Sequence, residues 1–284
     1  MKPDQRFLNQ PKSFWAHVRT ISEAVGYTDR ANSEIKVAKS TEIQTALKRL
    51  ELDSTRVINV NGEFTELGET LSTYFKYRAQ ILNTFVEPHL MNDRQAKKEF
   101  TELRQKLSPR CPIPMNKQTG NKKAPAYFTG IINMLIEANA EGLQCDYDPK
   151  RLTTVTSNGV PIRTLARRVD GAFPSTVNPI AVWEIKEYYY TTTFGSRVAD
   201  GVYETLLDGM ELEELREHEG IDVKHYLMID AHYTWWDCGR SYLCRIFDML
   251  HMGYVDEVLF GKEVLERLPE IVKEWASTAS ERAG

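Results

Sequence analysis

Three charged residues stand inside otherwise apolar, strand-forming runs: Asp170 in "RRVDGAF", and Glu184 and Lys186 in "AVWEIKEYYY". On a strand the side-chain period is two, so Glu184 and Lys186 share one face. Glu187 falls on the opposite face, as a structural or strand-end solvated group. Charges in mid-strand are costly to bury without a partner, a metal ion or a wet cleft. If the strand that follows Asp170 runs antiparallel to that of Glu184, joined by the "PSTVNP" loop, the two carboxylates meet at a strand edge. Two hard carboxylate oxygens and a backbone carbonyl such as that of Ile185 suit Mg²⁺. The ammonium of Lys186 can hold and help deprotonate a water, and the metal can polarise phosphoryl oxygens. Together these groups support in-line hydrolysis of a phosphodiester by water, with no covalent intermediate. The alternative is a structural salt bridge of Glu184 with Lys186 or Arg168, since short acid-x-Lys patterns also arise by chance.

The elements that must position these residues follow from periodicity. From Ala126 the pattern alternates: an apolar helix, "AYFTGIINMLIEANAE", then strands at "VTSNGVPI", at the end of "TLARRVDGAFP" and at "IAVWEIKEYYY". A long acidic helix, "SRVADGVYETLLDGMELEELREHEG", leads to strand "VKHYLMIDAHYTW", helix "SYLCRIFDMLHMGY", strand "DEVLFG" and a last helix. That order predicts an α/β fold with a five-stranded mixed sheet flanked by helices. The first third predicts two amphipathic helices, "SFWAHVRTISEAVGY" and "STEIQTALKRLEL". A short β-like segment with an Asn61-Gly62 turn and a helix over Glu66 to Val86 follow. This is the order of a winged-helix-like module, or else of a generic helical cap. A break at "SPRCPIPMNKQTGNKKAP" reads as a linker or surface loop and sets the domains at 1–108 and 109–284.

The Asp170…Glu184-Ile185-Lys186 pattern within this order resembles the PD-(D/E)XK nuclease superfamily, whose best-known members are the type II restriction endonucleases. The position before the Asp is Val169 rather than Pro. The resemblance covers roughly Ala126 to Trp275 and implies a restriction-endonuclease-like αβββαβ core. It implies a cytoplasmic, Mg²⁺-dependent, sequence-specific double-stranded DNA endonuclease. Asp170, Glu184 and the Ile185 carbonyl would bind the metal, and Lys186 would position the water. Glu137, on the preceding helix, would be an additional acid. A twofold homodimer and a methyltransferase protecting host DNA are the partners it implies. Other readings stay open: a repair, recombination or phage-defence nuclease, or a DNA-binding regulator whose nuclease-like domain is a scaffold. In a scaffold, Lys186 would pair directly with a carboxylate.

Charge patterning permits a nucleic-acid partner. The net charge is −4, but Asp200 to Glu274 carries 18 acidic and 7 basic residues, so the remainder is near +7. Candidate phosphate contacts are Lys117, Lys122 and Lys123 in the basic loop, Arg163, Arg167 and Arg168 before Asp170, and Arg197 after the strand. Lysine-rich loops of this kind are more often merely solvated, and Arg197 suits an ion pair with Asp200 or Glu204 at least as well. The four cysteines form no CxxC pair, the scattered histidines suggest no metal site, and Trp235-Trp236 fits core packing better than base stacking. The N-terminus is too polar for a secretory signal, which supports the cytoplasmic expectation.

Overall fold

The computed structural model describes residues 1–29, 34–118, 121–190 and 195–283. The N-terminal part contains α1 (Gln5–Leu8), α2 (Lys12–Val25), a two-residue pairing of β1 (Thr28–Asp29) with β2 (Glu34–Ile35), α3 (Ser40–Arg49) and α4 (Glu66–Ile81). Between α3 and α4 the Asn61-Gly62 segment turns back, with a single antiparallel bridge of Ile58 to Phe64. A π-helical turn, α5 (Glu87–His89) and α6 (Asp93–Leu107) follow. The remaining elements are β3 (Met115–Gln118), β4 (Asn121–Pro125), α7 (Tyr127–Asn139), β5 (Asp146–Tyr147), β6 (Thr154–Ser157), β7 (Val160–Thr164) and β8 (Gly171–Phe173). Then come β9 (Ala181–Glu187), α8 (Ser196–Glu219), β10 (Lys224–Asp230), α9 (Arg240–His251), β11 (Glu257–Phe260) and α10 (Glu263–Ala283).

A mixed five-stranded sheet in the order β11-β10-β9-β8-β5 forms the centre. β9, β10 and β11 run parallel, and β8 and β5 add antiparallel neighbours. Alternation along β9 divides its side chains between two cores. Trp183 joins α6, α7 and α10, whereas Val182 joins Leu212 and Leu215 of α8. The α6 helix, on the N-terminal side of the break read at residue 108, shares the α7 and α10 core through Ala96 and Phe100. The N-terminal helices instead pack with α9 and with Leu227 and Ile229 of β10.

Two elements differ from the sequence expectation. The "VTSNGVPI" hairpin forms its own two-stranded sheet, β6 and β7, joined to the Thr176–Asn178 segment by a bridge of Thr154 to Val177, and the fifth strand of the central sheet is β5. The physical reason is burial: β7 is exposed or half-buried along its length and sends only Ile162, partly buried, toward a core. The basic segment read as a linker contains the antiparallel pair β3–β4. No helix among the described residues is long and apolar enough to cross a membrane.

Candidate active site

The site forms where β8 ends against β9. Gly171 is the first β8 residue and pairs with Trp183 at the open end of the ladder, so Asp170 and Glu184 lie just beyond that end. Gly171 is required there, because a Cβ would stand 2.1 Å from the Trp183 ring. The Asp170 carboxylate continues the pairing that the strand gives up: its Oδ2 accepts the Ile185 N–H at 2.7 Å. The Asp170 N–H in turn points at Trp183 O (3.1 Å) and Glu184 Oε1 (3.3 Å). The open end of the β8–β9 ladder thus holds the two acids side by side through backbone geometry.

Glu184 is fully buried, and both of its oxygens are engaged. Lys186 Nζ donates to its Oε2 at 2.8 Å and to Glu204 Oε2 at 3.1 Å. Arg167 forms a two-pronged pair with Glu184, at 2.9 Å to Oε1 and 3.2 Å to Oε2. The same guanidinium reaches Asp208 Oδ2 at 2.6 Å and Glu204 Oε2 at 3.2 Å. Glu204 and Asp208 are one helical turn apart on α8, so they present to the same face. α8 approaches closely because residue 201 is glycine: a Cβ there would lie 2.8 Å from Tyr188 Oη and 3.2 Å from Lys186 Cδ.

The cluster therefore holds four carboxylates, Asp170, Glu184, Glu204 and Asp208, against two cations, Arg167 and Lys186. The acid excess is visible in proton affinities. Burial, and then the charge of Glu184, push Asp170 up to about 6 and Asp208 up to about 7. Burial would also raise Glu184, but Lys186 and Arg167 outweigh it and hold this carboxyl below its usual range. Burial would lower Lys186, but Glu184 and Asp170 outweigh it, so the amine is raised and stays an ammonium. Asp208 Oδ1 is buried without a hydrogen-bond partner. An unsatisfied buried acceptor costs about 1–3 kcal/mol.

These residues suit a hard divalent cation. Among the described residues no three His, Cys, Asp or Glu side chains form a ready-made metal cage. Mg²⁺ needs less, since it usually keeps several waters and takes one or two carboxylates. Asp170, Glu184 and the Ile185 carbonyl supply that set, in a cluster whose surplus of two negative charges a divalent ion would neutralise.

The other expected site residues are dispersed. Glu137 lies at the end of α7, where its Oε2 accepts the Arg110 N–H at 2.9 Å, and it takes no part in the hydrogen-bonded cluster. Arg167, expected on a phosphate-facing surface, turns inward because three carboxylates surround its guanidinium. Arg163 pairs with Glu214 of α8 at 2.9 Å. Arg168 and Arg197 are exposed on either side of the site in sequence. The turn of Arg197 is tied to the end of β9 by Tyr188 Oη, which donates to the Arg197 carbonyl at 3.2 Å. Lys117, Lys122 and Lys123 lie on β3 and β4, but their side chains fall outside the described residues. Glu187 faces away from Lys186 and is half-buried against α7, accepting from Thr129 N and Oγ1, each at 3.0 Å. Trp235 and Trp236 are core residues. Sequence reasoning missed Glu204 and Asp208; the signal was an i, i+4 acid pair on α8 beginning three residues after Gly201.

A family model described as a domain of unknown function, DUF7687, matches residues 91–275 and contains every member of this cluster. The chain belongs to the DUF7687 family. A second model, also a domain of unknown function, DUF7690, matches residues 1–85 of this DUF7687 protein. No curated protein and no solved structure matches the chain. The interval between the two matches falls between the π-helical turn and α6, ahead of the residue-108 break.

Proposed function

We propose that the protein is a Mg²⁺-dependent endonuclease of the PD-(D/E)XK type acting on double-stranded DNA. The observation that carries this reading is the convergence of Asp170, Glu184 and Lys186 where β8 leaves β9. The order α7, β5, β8, β9, α8, β10 around that point supports a restriction-endonuclease-like αβββαβ core. When bound, Mg²⁺ would supply positive charge to the phosphoryl oxygens.

The chain's own residues do the rest. Asp170 and Glu184, held at adjacent positions by the end of the ladder, fix the metal-facing oxygens. Lys186, kept as an ammonium, orients the attacking water and offsets charge on the phosphate. Water oxygen bonds to phosphorus as the bond from phosphorus to the leaving oxygen breaks. The water's proton passes to a carboxylate of the cluster, and the leaving oxygen takes one from solvent. Exposed Arg168 and Arg197 are suited to phosphate contacts, which give affinity and salt dependence rather than sequence choice. Cutting both strands of a duplex requires two centres, so a twofold homodimer is the working form. A restriction role would add a protecting methyltransferase.

One observation favours a second reading. Lys186 pairs directly with Glu184 and Glu204, and Arg167 with Glu184, as in a nuclease-like scaffold used only for DNA binding. Incubating the protein with unmethylated phage DNA, in Mg²⁺ or EDTA, separates the two. Discrete Mg²⁺-dependent fragments, lost in Lys186→Ala and in the near-isosteric Asp170→Asn, are the expected result. Intact DNA in every lane with a gel shift on the same DNA would leave the scaffold reading standing.

A further inference from the structure

A cavity of about 660 Å³ lies between the N-terminal helices and the α8–α9 pair, apart from the acid cluster. Its wall is mostly apolar, with Tyr27, Val202, Tyr203, Leu206 and Met249 among the lining residues. Three guanidinium groups, those of Arg19, Arg49 and Arg245, border it. The acids at the cavity do not match them. Asp248 is closed off by Arg78 at 2.9 Å and by Tyr74 Oη at 2.6 Å. Glu23 is largely exposed and lies 3.5 Å from Arg245. Arg49 donates to the Ala24 carbonyl at 2.9 Å and Arg19 meets the thioether of Met252 at 3.4 Å; neither has a carboxylate partner among the described residues.

An apolar, tyrosine-bearing wall beneath surplus arginines fits a ligand with a flat body and an anionic end. Arginine forks match phosphate oxygens, and aromatic faces match a base. Arg245 already shows the stacking mode, lying 5.3 Å from the Tyr27 ring centroid. The size decides between sources of this chemistry: small-molecule sites span roughly 300–1,000 Å³, which suits one nucleotide and not a strand. We infer that this cavity is a binding site for a free nucleoside phosphate. The site is placed to report on the acid cluster, because Tyr203 lines the cavity while its neighbour Glu204 bonds Lys186, and Arg245 Nη1 donates to Tyr203 Oη at 3.2 Å. Binding itself does not depend on the nuclease reading.

Calorimetric titration of the full chain, without DNA, tests this. The probes are ribonucleoside mono- and triphosphates of the common bases, their parent nucleosides, inorganic phosphate, and 5′-phosphorylated tetradeoxynucleotides. At least one nucleotide is expected to bind at least ~10-fold more tightly than its nucleoside or phosphate alone, the gain of one charge-assisted contact. Arg19→Ala and Arg49→Ala, both at exposed positions, should each weaken it ~10-fold while melting as the parent does. Absence of binding by every nucleotide would overturn the inference, as would affinity unchanged in both variants. Tetranucleotides binding more tightly than any mononucleotide would move the assignment to nucleic-acid ends and overturn it as well.

Discussion

Two of the chain's buried ionic clusters are built differently. Between α4 and α9, Arg78 and Asp248 pair one to one, with Arg78 Nη1 at 2.9 and 3.0 Å from the two carboxylate oxygens. Tyr74 Oη and Ser22 Oγ satisfy further positions, the latter at 3.1 Å from Arg78 Nη2. The charges balance, although Arg78 Nε is also buried without a hydrogen-bond partner, and the pair joins the N-terminal helices to α9. At the β8–β9 edge, four acids surround two cations, burial raises two of the acids, and one carboxylate oxygen has no partner. A structural ion pair closes on itself, because an uncompensated buried charge costs several kcal/mol. The second cluster instead keeps a surplus of acids, as the proposed cation site would require, and that surplus separates it from the first.

The two clusters should differ most in what they contribute to stability. Asp248→Asn leaves Arg78 buried without its counter-charge and should cost about 3–5 kcal/mol. Asp170→Asn removes a surplus acid and keeps an acceptor for the Ile185 N–H, so it should change stability by no more than about 1 kcal/mol. Denaturant titration of both variants checks this, and equal losses would abolish the distinction. Mg²⁺ sharpens it next. At about a hundredfold excess over its Kd, Mg²⁺ should stabilise the parent by ~2.7 kcal/mol and Asp170→Asn by much less, read from the same titrations with and without the ion.

The smallest effect concerns pH, measured in EDTA. Asp208, at about 7 in the folded chain, binds its proton more tightly than in the unfolded chain, where the ordinary value is 3.8. Between roughly pH 4 and 7 the folded state therefore holds more protons, and stability falls as pH rises. Stability at pH 5 should exceed that at pH 7.5 by on the order of 1–2 kcal/mol, and Asp208→Asn should flatten the slope. An unchanged profile in Asp208→Asn would assign the surplus elsewhere.

Local pattern made part of this legible. The period of two in "AVWEIKE" places Glu184 and Lys186 on one face with Val182 and sends Glu187 to the other, as the α8 and α7 contacts show. The order of elements brought Asp170 beside Glu184, since β8 and β9 are antiparallel neighbours in sequence and in space. The fifth strand was less legible: two residues, Asp146 and Tyr147, carry too little pattern to outweigh the more strand-like β6 and β7 hairpin.

Residue order alone determined the acid-x-Lys face and its antiparallel partner, because strand alternation and short connections are local rules. Tertiary packing alone decided which other charges share the site. Glu204 and Asp208 reach it only because Gly201 lets α8 lie against the Lys186 side chain. Arg167 turns inward only because the carboxylates of β9 and α8 converge there. Coulomb interactions depend on distance in space, and a helix joined to the site by a loop acquires that distance only when it docks.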